Sequence, residues 1–314
     1  MCIRDRNYAA STVAVGLTDG RDIIATPDGR IFITPCGGDS RVVENDTLLP
    51  TAMISIPVSN RAEEGIQNLA LDQNFEQNGF FYVVFSPAGG GGNRVSRFTV
   101  VGNVADPATE QIVFELPPLP GANNHYGAAV VDNADGTLLI VGDHNISSNG
   151  QNTSTRTGSV LRIAKDGSIP GDNPFVGTPG VDDATFAFGV RNPWKIAKST
   201  GGSIAVSDVG ASSWEELNMI TAGGNFGWNE AEGPGGLGEQ PFFAYPHFGQ
   251  SRVLSSKVAR SPDRLSTSQI KYSFPAVSWA IYSQATFAQD GLLRLILLLA
   301  VSNRSLPAIM LSPT

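Results

Sequence analysis

The chain has 314 residues with Lys+Arg 21 against Asp+Glu 29, a formal net charge of -8. That balance excludes a nucleic-acid partner, because no surplus of cations exists to neutralise a row of phosphates. Gly 35, Pro 20 and only 16% charged residues suit short strands joined by tight turns rather than a helix bundle, and two cysteines, Cys2 and Cys36, are too few for a disulfide framework or a zinc site.

In chain order, MCIRDR (residues 1–6) reads as an artefact of sequencing-library preparation, so a missing leader peptide carries no information. The first patterned stretch, IIATPDGRIFIT (Ile23–Thr34), sets a polar, glycine-bearing turn between two apolar runs. The same unit returns as LALDQNFEQNGFFYVVFS (Leu69–Ser86), AAVVDNADGTLLIVGD (Ala128–Asp143) and KIAKSTGGSIAVSDVG (Lys195–Gly210). Each is a β-hairpin signature. The turn glycines Gly29, Gly79, Gly136 and Gly202 lie roughly fifty to sixty-five residues apart, the period of blades repeated around an axis. A β-propeller of five or six four-stranded blades is therefore expected over residues 7–291. A β-helix needs a shorter and stricter period, and a single sandwich needs a shorter chain.

Between the hairpins lie the polar residues of interest. AGGGGN (Ala88–Asn93) is a flexible tip, since no helix pattern follows to make it a phosphate cradle. His125 stands just before the Ala128 strand with Gly127 between them, so it is either a general base near neutral pH or a loop histidine bonded to a neighbouring carbonyl. Asp143 and His144 sit at a strand exit, where Asp143 either binds a polar ligand or caps a turn. Asn145–Gly158 reads as an irregular loop. Arg191-Asn192-Pro193 interrupts an apolar segment, Phe186–Ala197, with a cation and an amide. On a propeller, that strand end faces the shared central cup, where polar groups need partners. In Ser207–Gly233, Asp208, Glu215 and Glu216 with carbonyls at Gly210 or Ala211 could suit Ca²⁺. Equally, the two glutamates could stand in a solvated turn while Trp214 and Trp228 pack between blades. His247 has no partner that the sequence names. The run Leu292–Val301 is too short for a membrane span, which takes about 20 apolar residues, and residues 292–314 read as a truncated or frameshifted tail. No GxSxG, GxxxxGK[ST] or HExxH motif occurs.

Five segments in order resemble the soluble glucose/sorbosone dehydrogenase family: EEGIQNLALDQNFEQNGFFYVVFS, NNHYGAAVVDNADGTLLIVGD, GSVLRIAKDGSIPGDNPF, FAFGVRNPWKIA and SDVGASSWEELNMITAGGNFGWNEAEG. The resemblance spans roughly residues 20 to 250 and implies a six-bladed β-propeller, here with its last blade incomplete. It implies oxidation of an aldose sugar or related alcohol by pyrroloquinoline quinone (PQQ), with an external electron acceptor and a periplasmic or secreted address. By the same resemblance His125 is the catalytic base, Arg191 and Asn192 lie beside the quinone, and Asp143 contributes to its pocket. The carbonyls of Gly210 and Ala211 would hold Ca²⁺. The chain departs from the family pattern at Ala128, at His144-Asn145, and at Val209 and Ala211. No match is placed for the basic residues expected to grip the quinone carboxylates, although Lys257, Arg260, Arg264 and Lys271 follow residue 250. Two other readings are a non-catalytic propeller that binds carbohydrate or protein and a calcium-dependent lactonase.

Overall fold

The computed structural model describes residues 8–17, 19–118, 125–133, 135–143, 146–199 and 201–247, together with the strands 279–287, 293–301 and 306–313. Residues 1–6, His144 and the cations Lys257, Arg260, Arg264 and Lys271 lie outside the described residues.

The fold is an all-β propeller of antiparallel blades, as expected. A first strand, β1 (Tyr8–Leu17), precedes blade I, which comprises β2 (Gly20–Ala25), β3 (Ile31–Pro35), β4 (Asp39–Glu44), β5 (Thr47–Leu48) and β6 (Ile54–Ser55). Blade II holds β7 (Ile66–Leu71), β8 (Phe80–Phe85), β9 (Arg94–Val101), β10 (Val104–Ala105) and β11 (Gln111–Glu115). Blade III runs β12 (Ala128–Asp132), β13 (Thr137–Gly142), β14 (Ser159–Ala164), β15 (Thr185–Phe188). Blade IV runs β16 (Pro193–Lys198), β17 (Ile204–Asp208), β18 (Trp214–Ile220), β19 (Phe243–Pro246). A fifth sheet joins β1 to β20 (Trp279–Phe287), β21 (Leu293–Val301) and β22 (Leu306–Pro313) in the order β1-β22-β21-β20. Six blades are not reached among the described residues: four are laid out in full, followed by this fifth sheet. The stretch read from sequence as a tail supplies two of its strands.

Three of the four hairpins share one local design. In blades I, III and IV the turn glycine donates its N–H three residues back: Gly29 to Thr26 O, Gly136 to Asn133 O and Gly202 to Ser199 O. These glycines have φ of 88°, 81° and 86°, the left-handed conformation that glycine adopts without steric cost. Blade II inserts one helical turn, α1 (Phe75–Asn78), at the same junction and ends it on Gly79.

Period-two alternation lets each strand serve two cores. Leu138 and Ile140 of β13 pack towards blade II with Tyr82, Val84 and Val130, while Leu139 and Val141 pack towards blade IV with Ala129, Ile196 and Val206. Phe81, Val83 and Phe85 face blade I with Phe32, Val42 and Ile66. At the axis the innermost strands are tied by polar side chains. Asp22 Oδ2 accepts from Asn68 Nδ2 and Leu69 N, both at 2.8 Å, and Asn68 Oδ1 accepts from Val130 N at 2.9 Å. Lys195 Nζ crosses from blade IV to Asp22 Oδ1 at 2.9 Å, Arg21 O at 3.0 Å and Gln67 O at 3.1 Å. Burial pushes the Lys195 ammonium down from the usual lysine range, against the pull of Asp22. Among the described residues no helix is long and apolar enough to cross a membrane.

If the inter-blade cores carry the stability, Phe81 and Val101 should differ sharply. Phe81 is fully buried and stacks on Phe98 at 5.8 Å, whereas Val101 is 79% exposed. Phe81→Ala is expected to cost about 3–5 kcal/mol in chemical denaturation and Val101→Ala less than about 0.5 kcal/mol. Equal losses would remove the packing argument.

Candidate active site

Strand register builds the site. In blade III, Ala128 pairs with Gly142 across β12 and β13, which sets Asp143, just beyond β13, beside the residues preceding β12. Asp143 N donates to Gly127 O at 3.0 Å, and its Oδ2 lies 3.1 Å from His125 Nδ1. Blade IV repeats the arrangement. Pro193 pairs with Asp208 across β16 and β17, so the Asp208 carboxylate meets the Arg191-Asn192 turn. Its Oδ2 accepts from Arg191 N at 2.8 Å and its Oδ1 from Asn192 N at 2.7 Å.

That clamp sends the arginine side chain towards blade III. Arg191 Nη2 comes within 3.3 Å of His125 Nε2, and Nη1 donates to Val209 O and Gly210 O, each at 2.8 Å. A guanidinium can only donate, so Nε2 is the acceptor and the proton of a neutral imidazole sits on Nδ1, donated to Asp143. The tautomer follows from the partners. His125 itself is held at φ 70°, which non-glycine residues rarely adopt. Glu63 stabilises that backbone, its Oε2 accepting from His125 N at 2.6 Å and Tyr126 N at 3.3 Å. The Asp143 side chain is fully buried, while that of His125 is 17% exposed.

The structure thus brings together His125, Asp143, Arg191 and Asn192, four residues singled out from the sequence. Gly127 admits the Asn192 amide: a Cβ there would collide with Asn192 Oδ1. Two buried polar atoms at the site have no partner, Arg191 Nε and Asn192 Oδ1. The arginine also lies against an aromatic face, its guanidinium carbon 5.3 Å from the Trp228 ring centroid.

The carboxylates downstream of Asp208 are neither a calcium cage nor a solvated turn. Glu215 is 2% exposed; its Oε2 accepts from Gly210 N at 3.3 Å and its Oε1 meets His247 Nε2 at 2.9 Å. Glu216 Oε1 accepts from Gly233 N at 2.6 Å, and Glu232 Oε1 gathers the N–H groups of residues 211–214. Burial pushes Asp208 well above the usual carboxylate range, the neighbouring Glu216 adds to it, and the two backbone N–H groups and Arg191 oppose it. Burial also raises Glu215 and Glu216, with His247 and the Gly233 N–H respectively working the other way. No group of three or more His, Cys, Asp or Glu among the described residues could hold a metal. The Gly210 carbonyl, expected to be a Ca²⁺ ligand beside that of Ala211, already accepts from Arg191. A divalent cation on that oxygen would stand beside the guanidinium while both Glu215 oxygens are engaged elsewhere. The donor set does not fit Ca²⁺.

A flat ligand with carbonyl oxygens would find a donor in the Arg191 guanidinium and, beside it, an acceptor in His125 Nε2 for a hydroxyl. Sequence reasoning missed Glu63, Trp228 as a neighbour of the arginine, Asp208 as the clamp on the turn, and the His247–Glu215 pair. Only Asp208 left a readable signal: it ends its hairpin where Asp143 ends the preceding one.

The fold is a propeller in which His125 and Arg191, just before the first strands of two adjacent blades, meet. A family model described as glucose/sorbosone dehydrogenase matches residues 17–237, and the chain belongs to that family. The aldose sugar dehydrogenase YliI of Escherichia coli (strain K12) is 26% identical over 210 residues, 64% of this chain and 56% of that protein. Quinoprotein glucose dehydrogenase B of Acinetobacter calcoaceticus is 25% identical over 260 residues, 73% of this chain and 54% of that protein. The chain thus spans about half the length of the curated relatives it matches. The soluble aldose sugar dehydrogenase of Escherichia coli in its apo form superposes with a TM-score of 0.80 at 20% identity, covering 98% of this chain and 100% of that one. The PQQ-bound aldose sugar dehydrogenase of Streptomyces coelicolor gives 0.68 at 22% identity over 96% of this chain and 85% of that one. At such identities these structures establish the fold.

The raised Asp208 makes a signed prediction. A carboxyl whose folded pKa exceeds its unfolded value adds stability at low pH and loses it as pH rises through the folded value. The wild type should therefore gain stability relative to Asp208→Asn as pH falls from 7 towards 4, read from denaturation midpoints. A relative loss over that window would show the carboxylate to be favoured as the anion.

Proposed function

We propose that the chain oxidises an aldose sugar or related alcohol with pyrroloquinoline quinone as acceptor, His125 serving as the base. The observation that supports this most is the 3.3 Å approach of Arg191 Nη2 to His125 Nε2, made by residues 66 positions apart at the mouth of the axis. When bound, the quinone supplies the two-electron acceptor for the hydride leaving the alcohol carbon. His125 Nε2 takes the hydroxyl proton, and Asp143, paired with Nδ1, fixes the ring and stabilises the imidazolium that forms. Before that, the hydroxyl must displace the Arg191 donor from Nε2. The guanidinium then turns to the negative charge developing beside it, anchored through Nη1 on the Val209 and Gly210 carbonyls. The Arg191 guanidinium and the Asn192 Nδ2–H group would be the donors that hold the quinone's edge. The acidic composition accords with action in the periplasm or outside the cell, with electrons passed to an external acceptor.

A non-catalytic propeller would bind sugar through the same polar mouth and tolerate loss of the base. His125→Gln separates the two. In protein reconstituted with quinone, dye reduction by aldoses should fall about 10²–10⁴-fold while quinone affinity, measured by fluorescence quenching, stays within about threefold. Unchanged turnover, or absence of both quinone binding and turnover in the wild type, would refute the dehydrogenase reading. Arg191→Lys keeps the charge and loses the forked geometry, and should lower kcat about 10²–10³-fold, the usual loss on removing one preorganised donor.

A further inference from the structure

The irregular loop after Asp143 holds a short 3₁₀ turn, Ser147–Gln151, and its last side chain leaves blade III for the loop that follows β18. Gln151 Nε2 donates to Trp228 O at 2.6 Å and to Asn225 Oδ1 at 3.0 Å. Asn225 Nδ2 returns a bond to Gln151 Oε1 at 2.9 Å. Asn225 Oδ1 also accepts from Gly227 N at 2.9 Å, and Trp228 N donates to Gly189 O at 2.9 Å. The tryptophan backbone is thus held from both sides. Glycine lets the two loops meet: a Cβ at Gly150 would collide with the Trp228 carbonyl and with the edge of its indole. The Arg191 guanidinium also lies against that indole.

We propose that Gln151 and Asn225 form a latch that positions Trp228 against Arg191, and through Arg191 sets where the guanidinium stands relative to His125 Nε2. The inference deepens the dehydrogenase reading above and rests on it for its kinetic consequence, while the latch itself can be tested apart from it. Amides are required. The reciprocal pair needs one donor and one acceptor on each side chain, and Gln151 must supply a second donor for the Trp228 carbonyl. A carboxylate at 151 would face two oxygens with no hydrogen to offer. The arginine keeps two fixed anchors, Val209 O and Gly210 O, on Nη1, so the indole limits rotation about the remaining freedom of the fork. Trp228, Gln151 and Asn225 are positioning residues in this account; none of them touches the atoms that react.

The first measurement needs neither quinone nor sugar. An indole face shields protons above it, so the Arg191 Nε–H resonance, assigned by its loss in Arg191→Lys, should lie upfield of ordinary arginines. It should move towards them in Trp228→Leu, in Gln151→Leu and in Gln151→Glu, and stay shielded in Trp228→Phe. In the quinone-loaded enzyme Trp228→Leu and Gln151→Leu should each lower kcat about tenfold with KM for the sugar changed less than about threefold. The double variant should be no worse than either alone, because both act through one contact, and Trp228→Phe should restore kcat to within about twofold. An Arg191 resonance unmoved by Gln151→Leu and Gln151→Glu overturns the latch, as do additive losses in the double variant. If Gln151→Leu does not fold, Gln151→Glu carries the same test. Wild-type protein with the shielded resonance but no quinone binding would retain the latch and retire the dehydrogenase.

Discussion

Asp208 accepts the N–H groups of Arg191 and Asn192 at 2.8 and 2.7 Å, and the placement of the site depends on that pair of bonds. The carboxylate is 5% exposed and sits at the end of an inner hairpin, where burial works against its charge. Two backbone donors and a nearby guanidinium oppose that penalty without cancelling it. The geometric result is a turn whose side chains cannot wander: Arg191 leaves towards blade III, and Asn192 lies flat on Gly127. Without the clamp, a cation at a strand end would find solvent. With it, the cation finds a histidine.

The same economy runs down the axis. Each inner strand has neighbours from two other blades, and its polar groups are satisfied across those gaps. Lys195 spans from blade IV to blades I and II, Asp22 holds blade II through Asn68 and Leu69, and Asn68 reaches Val130 of blade III. These bonds fix the rotation of each blade about the axis, which apolar packing alone specifies poorly because it is non-directional. His125 and Arg191 sit on two adjacent blades at the upper ends of these strands. A small rotation of one blade would part them, so the polar spine below is a condition of the contact above.

The hairpins could be read from the sequence because their information is local: alternation, a polar turn, and a glycine at the left-handed position. His125, Asp143, Arg191 and Asn192 could be read because hairpin ends on a propeller converge and because the surrounding segments resemble a family. What could not be read is which polar group answers which. Asp208, Glu215 and Glu216 look alike as oxygen donors in a list of residues, yet register gives the first to a turn, the second to His247 and the third to Gly233. Glu63 was invisible for a different reason. Its partners are the backbone N–H groups of His125 and Tyr126, which carry no side-chain signal in the sequence. Trp228 was assigned to packing between blades, and it does pack, but against a charge.

The contact between the base and the cation carries a chemical consequence of its own. An imidazole nitrogen that accepts from a guanidinium is unavailable as a base until something takes the guanidinium's place. A ligand that offers the guanidinium an oxygen, while presenting a hydroxyl to Nε2, satisfies both groups at once. One that offers only a hydroxyl takes Nε2 from the guanidinium and gives Nη2 no acceptor in return, leaving that donor unsatisfied. Under the proposed reaction the pair would ask for both functions together, an acceptor oxygen for the guanidinium and an alcohol for Nε2.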